Sequence, residues 1–175
     1  VLSPSVGMRA PQGVIDDGTP PTPPPLRRAA RVIVLDEAGR VLLLRIVDHG
    51  RVFWATPGGS LEAGESEEGA ALREVAEELG LDGISLSPPL ARRIKDHRVG
   101  TVQRRQVETY YLTRVDAARV DAVTGTQTDN IQERRWWHLE EIAAGTEPVY
   151  PAELTDLVET YLKEGGAPAF SAQLR

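Results

Sequence analysis

The chain has 175 residues, 41% hydrophobic and 26% charged, with no cysteine and a formal net charge of −6. That length and balance fit one globular domain with a sizeable core, and the lack of cysteine excludes disulfides and thiolate metal sites, a usage that fits a reducing cytoplasm, where we expect the protein. No apolar run approaches the ~18–20 residues of a membrane-spanning helix, and without a net basic surface a nucleic-acid partner is not expected.

Residues 1–25 hold seven of the 13 prolines, ending in Pro20-Pro21-Thr22-Pro23-Pro24-Pro25, and read as an extended arm with little core of its own. A domain over residues 26–165 follows, with a short tail over 166–175. Ala29–Leu35 and Arg40–Val47 are apolar, β-branched or leucine-rich runs separated by Asp36-Glu37-Ala38-Gly39, which predicts a hairpin. The unbroken Val41-Leu42-Leu43-Leu44 predicts a strand covered on both faces. Phe53-Trp54-Ala55 is a short strand candidate running into Thr56-Pro57-Gly58-Gly59, where no helix can continue.

Ser66 is a good N-cap, acidic residues favour the positive end of the helix dipole, and Gly80 is a helix stop, so a helix is predicted between them. Its apolar stripe is Ala71, Leu72, Val75 and Leu79. Gly69 inside the first turns costs up to ~1 kcal/mol against alanine. Ile84–Lys95 and Thr101–Val115 are expected strands joined around Asp96–Gly100. Asp116–Asn130 is expected as a long loop, Arg135–Leu139 as a last strand, Glu140–Ile142 as a turn, and Ala152–Lys163 as a helix. Strands on both sides of a central helix, with a second helix at the end, predict a mixed sheet between helices, an α/β fold.

The chemistry concentrates on the first helix. Glu74, Glu77 and Glu78 stand at i, i+3 and i+4, so their carboxylates meet on one face. Like charges so placed cost roughly 0.2–0.5 kcal/mol per pair in an isolated helix, a cost that a bound cation offsets. Residues 59–81 contain seven glutamates and one arginine, while the rest of the chain carries 19 acidic and 19 basic residues. The net charge is therefore local. Hard divalent cations take carboxylate oxygens and keep waters for a substrate phosphate, and only such ions would let an acidic site accept a phosphate. His49, His97 and His138 are too scattered to form a histidine metal centre.

The stretch GSLEAGESEEGAALREVAEELGL, Gly59 to Leu81, resembles the Nudix box, G-x5-E-x7-R-E-U-x-E-E-x-G-U with U a bulky aliphatic, at every defined position. The resemblance implies an α/β/α sandwich with a mixed β-sheet and hydrolysis of a diphosphate linkage with Mg²⁺ or Mn²⁺. It implies metal ligation by Glu74 and Glu78, assistance from Glu77, and a ligand in the backbone carbonyl of Gly58. It further implies that Arg73 pairs with Glu65 and holds loop to helix, a supporting role. The base is a box glutamate, Glu77 or Glu78, or an acid in the loop before the last strand, Glu133 ahead of Asp129, with Glu108 as the runner-up.

Substrate recognition lies outside the box. Arg45, Arg93 and Arg105, with Arg92 and Arg104 behind them, are candidate phosphate clamps, and Trp54, Tyr110 or Trp136 are candidate stacking partners for a base. The expected substrate is a small nucleotide: an ADP-ribose or nucleotide-sugar type, or a nucleoside triphosphate. An oxidised-nucleotide triphosphatase and a non-catalytic nucleotide sensor are the competing readings. A homodimer and a monomer fit the residues equally.

Overall fold

The computed structural model describes residues 25–99, 101–122, 130–165 and 172–174, so the proline-rich arm over residues 1–24, and Asp129, lie outside the described residues. The strands β1 (Leu26–Leu35), β2 (Val41–Asp48), β3 (Arg51–Ala55) and β4 (Gly58–Ser60) precede the helix α1 (Glu67–Leu79). After it come β5 (Ala91–Val99), β6 (Val102–Arg114), α2 (Ala117–Asp121), β7 (Ile131–Trp137), α3 (Leu139–Ala144), β8 (Val149–Tyr150), α4 (Leu154–Lys163) and β9 (Ala172–Leu174).

The strands form one mixed sheet in the order β8-β3-β2-β1-β6-β5-β9, with β4 also paired to β1 and β7 to β2. β1 is its axis. It runs parallel to β6 over its whole length, while its other edge is shared: Leu35 pairs with Val41 of β2, and Ala29 to Arg31 pair with Ser60 to Gly58 of β4. The sheet therefore splits on one side of β1, and the gap between β2–β3 and β4 opens a cleft.

Successive side chains of β1 serve two cores, as the pleat requires. Val32 and Val34 pack with Leu42, Leu44, Val75 and Leu79 under α1. Ile33 and Leu35 pack with Leu43, Leu112, Leu154 and Val158 under α4. This is the expected fold class, a mixed sheet between helices, and Val41–Leu44 is indeed buried on both faces.

Several boundaries differ from expectation for local reasons. Pro88-Pro89 delay the strand expected from Ile84, so β5 begins at Ala91. Asp96 is a β5 strand residue paired with Arg105 rather than part of a turn. Charged residues hid the first half of β7, because Glu133, Arg134 and Arg135 break the apolar alternation. The expected loop after Arg114 contains α2, capped by Asp116 Oδ1 accepting from Ala118 N–H at 3.0 Å. β4 and β8 have only three and two residues, too short for periodicity to reveal. Ala172–Leu174, within the expected tail, adds a parallel strand to β5.

Leu44 is 1% exposed and Leu162 38% exposed. Leu44→Ala should lower the unfolding free energy by about 2–5 kcal/mol, and Leu162→Ala by less than ~1 kcal/mol. Urea denaturation measures both; comparable losses would contradict the assignment of Leu44 to the core under α1.

Candidate active site

The helix is placed by close backbone approach. Gly58 has φ of 135°, and a Cβ there would collide with the Ala30 carbonyl oxygen and the Arg31 Cα. Only glycine combines that backbone with that contact. The Gly58 N–H donates to Glu78 Oε2 at 2.9 Å, and its carbonyl oxygen accepts from an Arg31 guanidinium nitrogen at 2.7 Å. At Gly59 a Cβ would occupy the space of the Glu74 carboxylate. Ser66 caps the helix by accepting from Gly69 N–H at 3.0 Å, and a Cβ on Gly69 would press on that same hydroxyl at 3.0 Å. The helical glycine thus leaves room for the cap.

Arg73 ties the box together. Its guanidinium donates twice to Glu65, at 2.9 and 3.0 Å, and reaches the Ser60 carbonyl at 3.0 Å, Glu74 at 2.9 Å and Glu77 at 3.3 Å. The fork on Glu65 is the strongest geometry available to an arginine and a carboxylate. The hydrogen bond from Arg73 holds Glu65 below the usual carboxylate range, and Glu65 in turn raises Arg73.

Glu78 behaves differently. Burial pushes its carboxyl up to about 7, against the hydrogen bond from Gly58, with the neighbouring charge of Glu74 adding to the rise. Among the described residues no three acidic or histidine side chains stand close enough to enclose a cation as they are placed. The reason is visible: Glu74 and Glu77 are turned toward Arg73. The donor set still fits a hard divalent ion. It offers three carboxylates of one helix face and a neighbouring backbone carbonyl, and Glu78 makes no direct ion pair among the described residues, feeling the Arg31 charge only at a distance.

Beside Gly58, Gly59 and Glu78 lies a cleft of about 560 Å³. One wall comes from β2, β3, β7 and β8: Ile46 pairs with Phe53 and Ile131, and Ala55 pairs with Tyr150. Phe53 and Tyr150 meet edge to face with ring centroids 5.4 Å apart. The other wall comes from β1, β6 and β5 and carries Arg27, Arg31, Arg93 and Lys95. Its floor is Glu108, which accepts from Arg31 at 3.2 Å, Arg93 at 3.3 Å, Gln106 at 3.0 Å and the Tyr110 hydroxyl at 3.0 Å. Burial raises the Glu108 carboxyl, but the Arg31 charge, the Tyr110 hydrogen bond and Arg93 outweigh it and hold it below the usual range.

Of the residues singled out from the sequence, Gly58, Glu78, Arg93, Glu108 and Tyr110 line this cleft, while Glu65, Arg73, Glu74 and Glu77 form the clamp behind it. Five others are not brought to it. Trp54 is 3% exposed in the core under α4, and its indole N–H donates to Glu147 at 2.7 Å. Arg45 donates to that same carboxylate at 3.3 Å. Glu133 is exposed on β7 opposite Arg45, on the pleat position that alternates away from Ile46. Arg105 is engaged by Asp96 at 2.8 and 2.9 Å. Trp136 packs against the core under α1. Sequence reasoning passed over Arg31, Arg27, Lys95, Phe53 and Tyr150. Arg31 had a signal, a lone charge inside the apolar run Ala29–Leu35; Tyr150 had none, since its strand has two residues.

A helix face of clustered carboxylates, laid against a glycine turn beside a cation-lined cleft, is the arrangement of a phosphate-handling class of fold. The comparisons give the class its name. The NUDIX domain model matches residues 25–158, and the chain belongs to that family, the Nudix hydrolases. The chain is 29% identical over 148 residues to an RNA pyrophosphohydrolase of Sphingopyxis alaskensis, covering 78% of this chain and 93% of that one. The MutT protein of Methanosarcina mazei shares the fold with a TM-score of 0.61 at 21% identity, over 82% of this chain and 98% of that one. The NUDIX domain of Shewanella oneidensis NrtR, crystallised with ADP ribose, gives 0.60 at 17% identity, over 81% and 90%.

The raised Glu78 has a consequence for stability. A carboxyl moved from 4.5 to about 7 on folding favours the folded state fully below 4.5, and that contribution is lost as pH rises through 7. The total is on the order of 3 kcal/mol. In chelator, the melting temperature should therefore fall between pH 5 and pH 8, and Glu78→Gln should flatten the decline. A variant with the wild-type slope would show that Glu78 ionises freely.

Proposed function

We propose that the chain hydrolyses a phosphoric anhydride bond in a nucleoside diphosphate derivative or nucleoside triphosphate, using Mg²⁺ or Mn²⁺ held by Glu74, Glu77, Glu78 and the Gly58 carbonyl. The observation that carries the reading is the position of Glu78: a buried carboxylate pressed against Gly58, between the carboxylate face of the helix and the cation-lined cleft. A divalent ion at such a set neutralises phosphate charge and acidifies a bound water.

The chain's own part is positional and acid–base. Arg73 holds Glu74 and Glu77 in register through Glu65 and the Ser60 carbonyl. Arg93 is the one of the arginines first singled out that lines the cleft, where it pairs with Glu108. Arg45, Trp54 and Arg105 receive no direct contact with substrate in this reading. In the reaction, a water oxygen bonds to one phosphorus as the bridging P–O bond breaks. The water proton passes to a carboxylate, for which Glu78 lines the cleft while Glu77 and Glu133 do not, and the second phosphate departs with the bridging oxygen.

A second reading, action on the 5′ end of RNA, is favoured by the name of the Sphingopyxis relative and by the basic wall of the cleft. A sensor that binds without turnover is disfavoured by the complete set Glu74, Glu77 and Glu78.

Chromatographic product analysis tests the proposal on nucleotide sugars, ADP-ribose, normal and oxidised nucleoside triphosphates and triphosphorylated RNA, with Mg²⁺ and Mn²⁺ supplied separately. The wild type should release a nucleoside monophosphate or monophosphate-ended product, and Glu78→Gln should lose on the order of 100-fold or more in kcat. Undiminished turnover in Glu78→Gln, or no product and no metal binding in the wild type, would overturn it.

A further inference from the structure

The two walls of the cleft differ in chemistry, and the difference bears on which substrate the site is built for. On β1, β6 and β5 the registers align Arg27 with Gln106 and Gln106 with Lys95, so the three form one cross-strand row. Neighbouring strands lie about 4.8 Å apart, which makes the row about 10 Å long. All three residues line the cleft.

The next row inward is electrically spent. Glu108 takes Arg31 and Arg93 as ion-pair partners, and Arg31 also serves the Gly58 carbonyl. The outer row is not. Lys95 is exposed and makes no ion pair or hydrogen bond among the described residues. Among the described residues Arg27 uses only its Nε, toward the Ser60 hydroxyl at 2.7 Å, and pairs with no carboxylate. Among the same residues the Gln106 side chain donates to Glu108 and has its second amide hydrogen and its carbonyl to offer. Two uncompensated cations and an amide in line on a rigid sheet are a receptor for phosphate oxygens. The opposite side brings Ile46, Phe53, Ile131 and Tyr150 into the cleft, an apolar and aromatic surface suited to a base, beside Asp48, Arg51 and Asn130 of the same side, with the Arg93 guanidinium 5.6 Å from the Tyr150 ring centroid. Gly58 is reached from β3 of the aromatic wall and pairs with Arg31 of the basic wall, so the box stands between the two.

Resting on the hydrolase reading above, we propose that the substrate carries a chain of at least three phosphates, a nucleoside 5′-triphosphate group either free or at the end of RNA, and that Arg27, Gln106 and Lys95 hold the phosphate beyond the bond that is cut. A nucleotide sugar meets this row with a neutral hydroxylated ring, which offers it hydrogen bonds but no anionic charge to neutralise.

Binding can be separated from turnover by using Glu78→Gln as the background and a triphosphate analogue with methylene bridges. Calorimetry should show that analogue binding more tightly than ADP-ribose. Lys95→Ala and Arg27→Ala should each weaken it about 10-fold or more while changing ADP-ribose affinity less than about threefold. Lys95→Arg should restore most of the loss. Both positions are exposed, and a melting curve checks that the variants stay folded. Equal losses on both ligands, no loss on either, or tighter binding of ADP-ribose would each overturn the proposal, even where the wild type proves to be a hydrolase. If the pattern holds but no substrate turns over, the row stands and the hydrolase reading falls. A short triphosphorylated RNA titrated beside the free triphosphate tells the two sources apart.

Discussion

Arg73 is the interaction on which the site depends, because the helix face it serves would otherwise repel itself. Glu74 and Glu77 share one guanidinium, and the remaining donors of that guanidinium run to Glu65 and the Ser60 carbonyl. One side chain thus compensates the like charges at i and i+3 and fixes the loop between β4 and α1 to the helix. A lysine would supply the charge without the planar fork, and so could not reach loop and helix in one geometry. Glu78 lies outside this arrangement. Its partner is a backbone N–H rather than a cation, which is why burial dominates it and leaves it the least settled charge of the box.

The glycines follow from the same requirement. To bring Glu78 to the backbone, the chain must pass Gly58 over Ala30 and Arg31 at a separation that excludes a Cβ, and to seat Glu74 it must leave the Cβ position of Gly59 empty. These positions matter because β1 is shared: its start pairs with β4 and its end with β2, and the cleft is the gap between them. A conformational constraint of the backbone thereby becomes the shape of the binding site.

How much of this the sequence made legible depends on the range of each interaction. The box helix and its caps lie within about twenty consecutive residues, and spacing exposes them, while the pairing of Arg73 with Glu65 was implied by the resemblance to the Nudix box. The two-sided burial of Val41–Leu44 was legible for the same reason. Pairings distant in sequence were not. Glu108 meets Arg31 across 77 residues, and the row of Arg27, Gln106 and Lys95 exists only through the register of three strands. Trp54 and Arg45 looked like ligands for substrate because composition does not tell which face of a pleated strand a residue takes. Their alternation sends both to Glu147 instead.

Net charge misled in a related way. A formal −6 argued against anionic partners beyond what metal ions could admit, yet the cleft itself has a basic wall. The field that a substrate meets is set by the nearest uncompensated groups, since charges more than ~8–10 Å away across water are largely screened at physiological salt. On the basic wall Glu108 is already claimed by two arginines, Arg27 and Lys95 have no carboxylate partner among the described residues, and Asp48 and Arg51 stand on the facing strands of the same cleft. The acidic excess sits on the helix, where cations are wanted, and the unclaimed basic groups sit one strand row beyond the ion pairs of Glu108. On the reading proposed above, the carboxylates of α1 would take the divalent ion and the basic row of β1, β6 and β5 the polyphosphate, so that the two signs stand on different elements and neither field cancels the other.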